Sequence, residues 1–174
     1  MLVKGLGAFF ILLASMLWSN LQIARLRARV RQLEEFRLAL RLLAAEVGYT
    51  VTPLPRAFRQ VAGMLESREV KEFFTAVCRN LRDAGSAGAE AAWMKAAAEQ
   101  RKDFDLTERD WAVLTRTAAG LGGLGREDQL KQFTAVEEQL TSSSRDAEER
   151  YARGEKMWRY LGVLSGTAMV ILLL

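Results

Sequence analysis

Residues 25–47, RLRARVRQLEEFRLALRLLAAEV, carry the pattern that decides the fold class. Their apolar positions recur at intervals of three and four residues, which places them on one face of an α-helix. These positions are Leu26, Val30, Leu33, Phe36, Leu40, Leu43 and Val47. The helix is predicted to end at Gly48, because glycine tolerates the left-handed conformation in which helices commonly terminate.

Two short amphipathic helices are predicted next. Thr52 offers a capping hydroxyl, and Pro53 suits the first turn of a helix, so the second helix is expected to start there. Ser67 has the same capping chemistry for a third helix. The apolar faces of these two helices are formed by Leu54, Phe58, Val61 and Leu65, and by Val70, Phe73, Phe74, Val77 and Leu81.

The second half of the chain predicts three more helices. Asp83–Gly88 is loop-like, and the alanine-rich stretch 89–100 favours a fourth helix. Thr107 and Asp110 have the spacing of a capping box and open a fifth. Glycines at 120, 122, 123 and 125 then interrupt the pattern. A three-and-four rhythm resumes at about Glu127 and continues to the C-terminus, which predicts one long last helix.

The predicted fold class is all-α. No stretch shows the period-two alternation of a strand, and the two prolines, Pro53 and Pro55, fall within one turn. We therefore expect an antiparallel bundle of about six helices, in which the first and last are the longest.

An N-terminal membrane segment is predicted within residues 1–24. Gly5–Ala24 contains no charged residue, and about 20 residues of helix cross the roughly 30 Å of a bilayer's hydrocarbon core. A cleaved secretory signal is the alternative, but no A-x-A-like cleavage site stands out and four arginines follow. The segment is expected to be a transmembrane helix continuous with the first bundle helix.

The C-terminal residues 158–174 are predicted to be a transmembrane or membrane-inserted helix that continues the last bundle helix. Tyr160–Leu174 is uncharged but would extend only about 22 Å as a helix. Spanning would therefore require a locally thinner bilayer or help from Met157 and Trp158, with Arg159 snorkelling. A buried apolar helix is the alternative.

The basic residues predict orientation and a lipid contact. Loops rich in Lys and Arg stay on the cytoplasmic side, so residues 25–157 are predicted to form a cytoplasmic helical domain. Membrane lipids are the expected partners of the juxtamembrane arginines, because anionic headgroups attract such clusters. These membrane-surface residues are Arg25, Arg27, Arg29 and Arg31. Because they account for the excess of basic over acidic residues, no nucleic-acid partner is expected.

The residue types that catalysis needs are missing or isolated. The chain has no histidine and one cysteine, Cys78, which on an amphipathic helix is expected to be a buried thiol. The glycine-rich residues 121–128 lack the Gly-Lys-Ser/Thr ending of a phosphate-binding loop. The sequence therefore predicts a protein that is not an enzyme and has no cofactor or metal site.

Particular stretches resemble the stage III sporulation protein AB family of endospore-forming bacteria. They are the arginine-rich first helix at 25–47, GYTVTPLPRAF at 48–58, LGGLGREDQ at 121–129 and the ending KMWRYLGVLSGTAMVILLL at 156–174. The resemblance covers essentially the whole chain. It departs from the family at Arg56, where an acidic residue is common, and in the Gly-Leu-Gly of the later loop.

The resemblance implies a component of the complex between mother cell and forespore, located in the mother-cell membrane. The family's helical domain is similar to the cytoplasmic domains of type II secretion F-type platform proteins. That similarity implies a sporulation ATPase, stage III sporulation protein AA, as a partner, together with other membrane proteins of the same operon. A homo-oligomer is left open. The candidate partner-contact residues are Thr52, Pro53, Leu54, Pro55, Arg56, Gly122, Arg126 and Glu127.

Two alternatives to ATPase coupling remain at this stage. A passive membrane scaffold would have the same helices with no ATPase contact, and Pro53–Pro55 would then be simply a helix start. A pore is disfavoured because the apolar segments carry no intramembrane charge.

Overall fold

The structure is a computed structural model that describes residues 2–48, 52–83, 88–121 and 125–173. Six α-helices and no strand occur in these ranges, in agreement with the predicted all-α class. The helices are α1 (Leu2–Gly48), α2 (Leu54–Met64), α3 (Arg68–Asp83), α4 (Gly88–Gln100), α5 (Glu108–Ala119) and α6 (Arg126–Leu173), with a short 3-10 turn at Arg101–Asp103.

The chain divides into two compact units. The terminal unit consists of Met1–Val30 and Asp146–Leu174, and the central unit consists of Arg31–Arg145. Helices α1 and α6 each contribute to both units. The predicted membrane boundaries, at 24/25 and 157/158, lie at other positions and remain predictions.

An aromatic cluster forms the core of the central unit. Phe73 is fully buried, and its ring centroid lies 4.9 Å from that of Trp93 in an edge-to-face arrangement. The other members are Phe36, Phe58, Phe74, Phe104 and Trp111. Helix α3 packs between α2 and α4. The apolar faces predicted for α1, α2 and α3 thus meet in one core.

The helix starts agree with prediction at α5 and differ at α2. Thr107 and Asp110 form the predicted capping box, since each side chain accepts a hydrogen bond from the other's backbone N–H. The N-cap of α2 is Pro53 rather than Thr52. The Thr52 hydroxyl instead donates to the Glu46 carboxylate at 3.0 Å, and its N–H donates to the Glu46 carbonyl at 3.3 Å. Thr52 is therefore bonded to the end of α1 and does not cap α2.

Small residues let α1 and α6 approach closely in the terminal unit. The Ser15 hydroxyl donates to the Gly162 carbonyl oxygen at 3.1 Å. A Cβ atom on Gly154 would lie 2.6 Å from Leu26, and one on Gly162 would lie 2.5 Å from the Ser19 hydroxyl. Glycine at both positions thus leaves room for the facing side chain, as in other closely packed helix pairs.

Among the residues that the structure describes, no helix is both long enough and apolar enough to cross a membrane. Many side chains of the two predicted membrane segments lie outside the described residues, including those of 2–6, 8–9, 11–12 and 169–173. Both segments remain predictions.

Candidate partner-contact surface

The residues around the start of α2 form an exposed turn. Pro53, Pro55 and Arg56 are exposed, whereas Thr52 and Leu54 are half-buried. The backbone N–H of Arg56 donates to the Pro53 carbonyl oxygen at 2.9 Å, which closes the first turn of α2. The Arg56 side chain is therefore presented to solvent from an ordered helix start.

Neighbouring helices brace this turn from both sides. The Thr52 hydroxyl bonds Glu46 near the end of α1, as described above. The Cys78 thiol of α3 donates to the Pro55 carbonyl oxygen at 3.5 Å, within the range for a sulfur donor. Cys78 is 4 % exposed, so it is the predicted buried thiol, and its polar contact positions a backbone carbonyl.

The second predicted segment lies at the start of α6. Gly122 falls outside the described residues, and Arg126 is the first residue of α6 with a side chain that is also outside them. Glu127 is described and highly exposed, and one of its carboxylate oxygens lies 3.9 Å from the Lys131 ammonium. Acidic residues in a first helical turn also interact favourably with the helix dipole.

The end of α1 contacts Thr52, in the first predicted segment, and Leu130, which follows the second. Leu130, in the second turn of α6, lies so close to Gly48 that a Cβ atom there would be 3.1 Å from its Cδ2. Thr52 contacts the same end of α1 through Glu46. Thr52 and Leu130, about 80 residues apart in sequence, thus both contact the C-terminal end of α1. The sequence predicted Thr52 as a contact residue, but it could not show that Thr52 and Leu130 contact the same end of α1.

The four arginines predicted to lie at a membrane surface do not share one environment. Arg25 and Arg27 are exposed, and Arg27 donates to the Tyr151 hydroxyl at 3.0 Å. Arg29, in contrast, is only 7 % exposed and lies 3.7 Å from the Asp146 carboxylate. Arg29 is thus buried against α6 within the terminal unit, and the membrane-surface role of the four arginines stays a prediction.

Arg31 belongs to the central unit and forms an ion pair with Glu69 at 3.4 Å. The Ser67 hydroxyl donates to the Glu69 carboxylate at 2.7 Å. This hydrogen bond, with a backbone hydrogen bond and the nearby Arg31 charge, lowers the pKa of the Glu69 carboxyl from its ordinary value. Arg31 is exposed but already has a carboxylate partner.

Sequence reasoning missed a basic groove between α3 and the end of α4. The groove has a volume of about 420 Å³ and is lined by Arg68, Lys71, Glu72, Thr75, Ala76, Arg79 and Gln100. The sequence does show basic residues at helical spacing on α3. It did not predict the groove, because an ordinary solvated helix face has the same pattern.

Within the residues that the structure describes, no group of His, Cys, Asp and Glu side chains is arranged to hold a metal ion. The surface features described here can bind partners through charge and shape. They do not form an arrangement of nucleophile, base and oxyanion donors.

Comparison with known proteins agrees with this architecture. The family described as Stage III sporulation protein AB matches residues 4–174. Stage III sporulation protein AB of Bacillus subtilis (strain 168) is 34 % identical over 174 residues, covering 99 % of this chain and all of the relative. A solved structure of a stage III sporulation protein AB has 32 % identity and a TM-score of 0.66, covering 71 % of this chain and 96 % of its own. With family match, full-length identity and fold in agreement, the chain belongs to the stage III sporulation protein AB family, which is named for sporulation proteins and not for enzymes.

Proposed function

We propose that this protein is a non-enzymatic platform component of a sporulation complex, located in the mother-cell membrane that faces the forespore. In this role its cytoplasmic domain couples the sporulation ATPase, stage III sporulation protein AA, to a transenvelope channel. The observation that carries the proposal is that Thr52, in the first candidate segment, and Leu130, just after the second, both contact the C-terminal end of α1.

The turn at Thr52–Arg56 has properties suited to docking. Two prolines restrict its backbone, and contacts to α1 and α3 hold it in place. Binding to a preorganised turn costs less conformational entropy than binding to a flexible loop. Arg56 adds a planar guanidinium that can pair with a partner's carboxylate in a bidentate manner.

Helix α1 offers a route by which docking could act on the membrane segment. It is one uninterrupted helix from Leu2 to Gly48, so the docking surface lies at one end and the predicted membrane segment at the other. Coupling between two sites requires an element with two arrangements that both sites bias, and we propose α1 for that role.

The test measures the affinity of the purified full-length protein, in mild detergent, for the ATPase. We expect Arg56→Glu to weaken binding about tenfold, which corresponds to ~1.4 kcal/mol and to a moderately important interface residue. Arg109→Glu is the matched control, because Arg109 is an exposed arginine on α5 and belongs to neither segment. It should change the affinity by less than about twofold.

Either of two results would contradict the proposal. If Arg56→Glu binds as tightly as wild type while its circular dichroism is unchanged, the turn is not the docking surface. If the wild-type protein shows no affinity for the ATPase, coupling is excluded and the passive scaffold becomes the better account. The scaffold has one observation in its favour, since Pro53 and Pro55 occupy positions typical of an ordinary helix start.

A further inference from the structure

The basic groove on α3 arises from the way this helix is buried. Its apolar residues, among them Phe73, Phe74 and Val77, point into the core. The opposite face therefore exposes Arg68, Lys71, Glu72, Thr75 and Arg79 in one row. The C-terminal end of α4 closes one side of the groove, where the Gln100 amide donates to the Glu72 backbone carbonyl at 3.4 Å.

The charges in this row are only partly neutralised. Arg68 and Glu72 form an ion pair at 2.8 Å. Arg79 lies 3.9 Å from Glu99, a long separation between two exposed side chains, and such pairs contribute little. No ion pair to Lys71 occurs among the described residues. The groove is therefore basic, with a single carboxylate among three cations.

We propose that this groove binds an acidic amphipathic helix of a protein partner. Arg68, Lys71, Thr75 and Arg79 are spaced by three or four residues and extend over about three turns, or roughly 16 Å. A partner helix with acidic residues at the same spacing places its carboxylates opposite these cations, with its other face free. Thr75 and Ala76 are small enough for a helix to approach the centre of the row.

Two features favour a protein helix over an anionic membrane surface. The cations lie in one line along α3, which matches the line of carboxylates on one face of a helix, whereas a bilayer presents phosphates over a whole surface. Glu72 lies within this line and pairs with Arg68, so Lys71 and Arg79 present two separate charges about two turns apart rather than a continuous positive surface. The alternation of charge along α3 thus specifies a partner with a defined pattern. This inference does not depend on ATPase coupling.

The experiment uses the full-length protein in nanodiscs of neutral lipid. The probe is a fluorescein-labelled, alanine-based helical peptide of about four turns, with glutamates at three-and-four spacing. A control peptide has glutamine in place of each glutamate. The groove variant carries two substitutions, Lys71→Glu and Arg79→Glu. The matched control is Lys102→Glu with Arg109→Glu, which changes the net charge equally at two exposed positions outside the groove.

We expect wild type to bind the glutamate peptide at least about tenfold more tightly than the glutamine peptide, as measured by fluorescence anisotropy. The groove variant should lose about tenfold in affinity, and the control variant less than about threefold. Equal losses in both variants would overturn the proposal, because they would show a general charge effect. Failure of wild type to distinguish the two peptides would also overturn it.

A second measurement separates the other occupants. Flotation with phosphatidylglycerol and phosphatidylcholine vesicles at about 3:7 tests an anionic membrane surface, and sedimentation tests association with a second copy. If the groove variant loses either of these interactions but binds the peptide normally, the proposal is wrong. A benzophenone side chain at Thr75 should crosslink to the glutamate peptide, whereas one at the exposed Ala112 of α5 should not. The opposite result would place the peptide elsewhere.

Discussion

Single side chains determine the stability of the central unit through burial and through local hydrogen bonds. Phe73 lies at the centre of the aromatic cluster, with rings of α1, α4 and α5 around it. Glu69, in contrast, lies near the surface and depends on Ser67 and Arg31. Burial of Phe73 removes a large apolar area from water. The contribution of Glu69 to stability depends on pH, because its carboxyl titrates.

Phe73→Ala should lower the free energy of unfolding by about 3–5 kcal/mol, because it removes a fully buried ring and leaves a cavity. Urea unfolding of the full-length protein in detergent, followed by circular dichroism, measures this change. Leu38→Ala serves as the control, since Leu38 is 42 % exposed and should lose less than about 1 kcal/mol. Similar losses in the two variants would mean that Phe73 is not central to the core.

Ser67→Ala should raise the pKa of Glu69 towards its ordinary value, because the hydrogen bond from Ser67 is the largest cause of the shift. A lowered carboxyl pKa contributes stability above the unfolded-state pKa, and this contribution disappears as pH falls through the folded-state pKa. Ser67→Ala should therefore cost stability at pH ~7 and less at pH ~3. Unfolding measured across this range, with the exposed Ser142→Ala as control, tests the sign. A constant difference at all pH values would contradict it.

At the scale of the helices, sequence signals and packing contribute differently. The start of α5 is set by a capping box that lies within four residues, and the sequence predicted it correctly. The start of α2 was predicted one residue too early, because Thr52 bonds the end of α1 instead. The pairing of α1 with α6 depends on glycines whose importance is visible only once the facing residues are known.

Gly162→Ala and Gly63→Ala should have opposite effects on thermal stability. Both glycines are in helices, where alanine is intrinsically preferred by about 0.5–1 kcal/mol. A Cβ atom on Gly63 meets no atom within 4 Å, so Gly63→Ala should stabilise. A Cβ atom on Gly162 would lie 2.5 Å from the Ser19 hydroxyl and 3.2 Å from the Ser19 Cβ, so Gly162→Ala should destabilise. Thermal denaturation of the full-length protein in detergent compares them. A stabilised Gly162→Ala would show that α1 and α6 can separate without cost.

At the scale of the whole molecule, the chain consists of two compact units that share α1 and α6. The central unit contains the aromatic cluster, the Thr52–Arg56 turn, Glu127 and the basic groove. The terminal unit contains the predicted membrane segments. The proposed partner contacts and the predicted membrane segments thus belong to different units of the chain.

The fragment 31–145 should fold by itself, because the buried aromatic cluster lies entirely within it. We expect a helical circular dichroism spectrum and one cooperative urea transition, with a stability of about 5–10 kcal/mol. The same fragment carrying Phe73→Ala is the control and should unfold at lower urea. A non-cooperative transition in the unmodified fragment would show that the central unit depends on the terminal one.

The sequence by itself determined the all-α class, the order of the helices and most of their ends. This was possible because α-helical hydrogen bonds and caps connect residues within four positions, so their signals are local. The resemblance to a sporulation family was also readable from short motifs, and the comparisons confirm it.

Only the tertiary structure decided which surfaces the helices share. It buried Arg29 beside Asp146, brought the Thr52 turn and the start of α6 to the same end of α1, and formed the groove between α3 and Gln100. These relationships join residues far apart in sequence. They follow from how apolar faces pair on folding, and periodicity shows that a face exists without showing which face it meets.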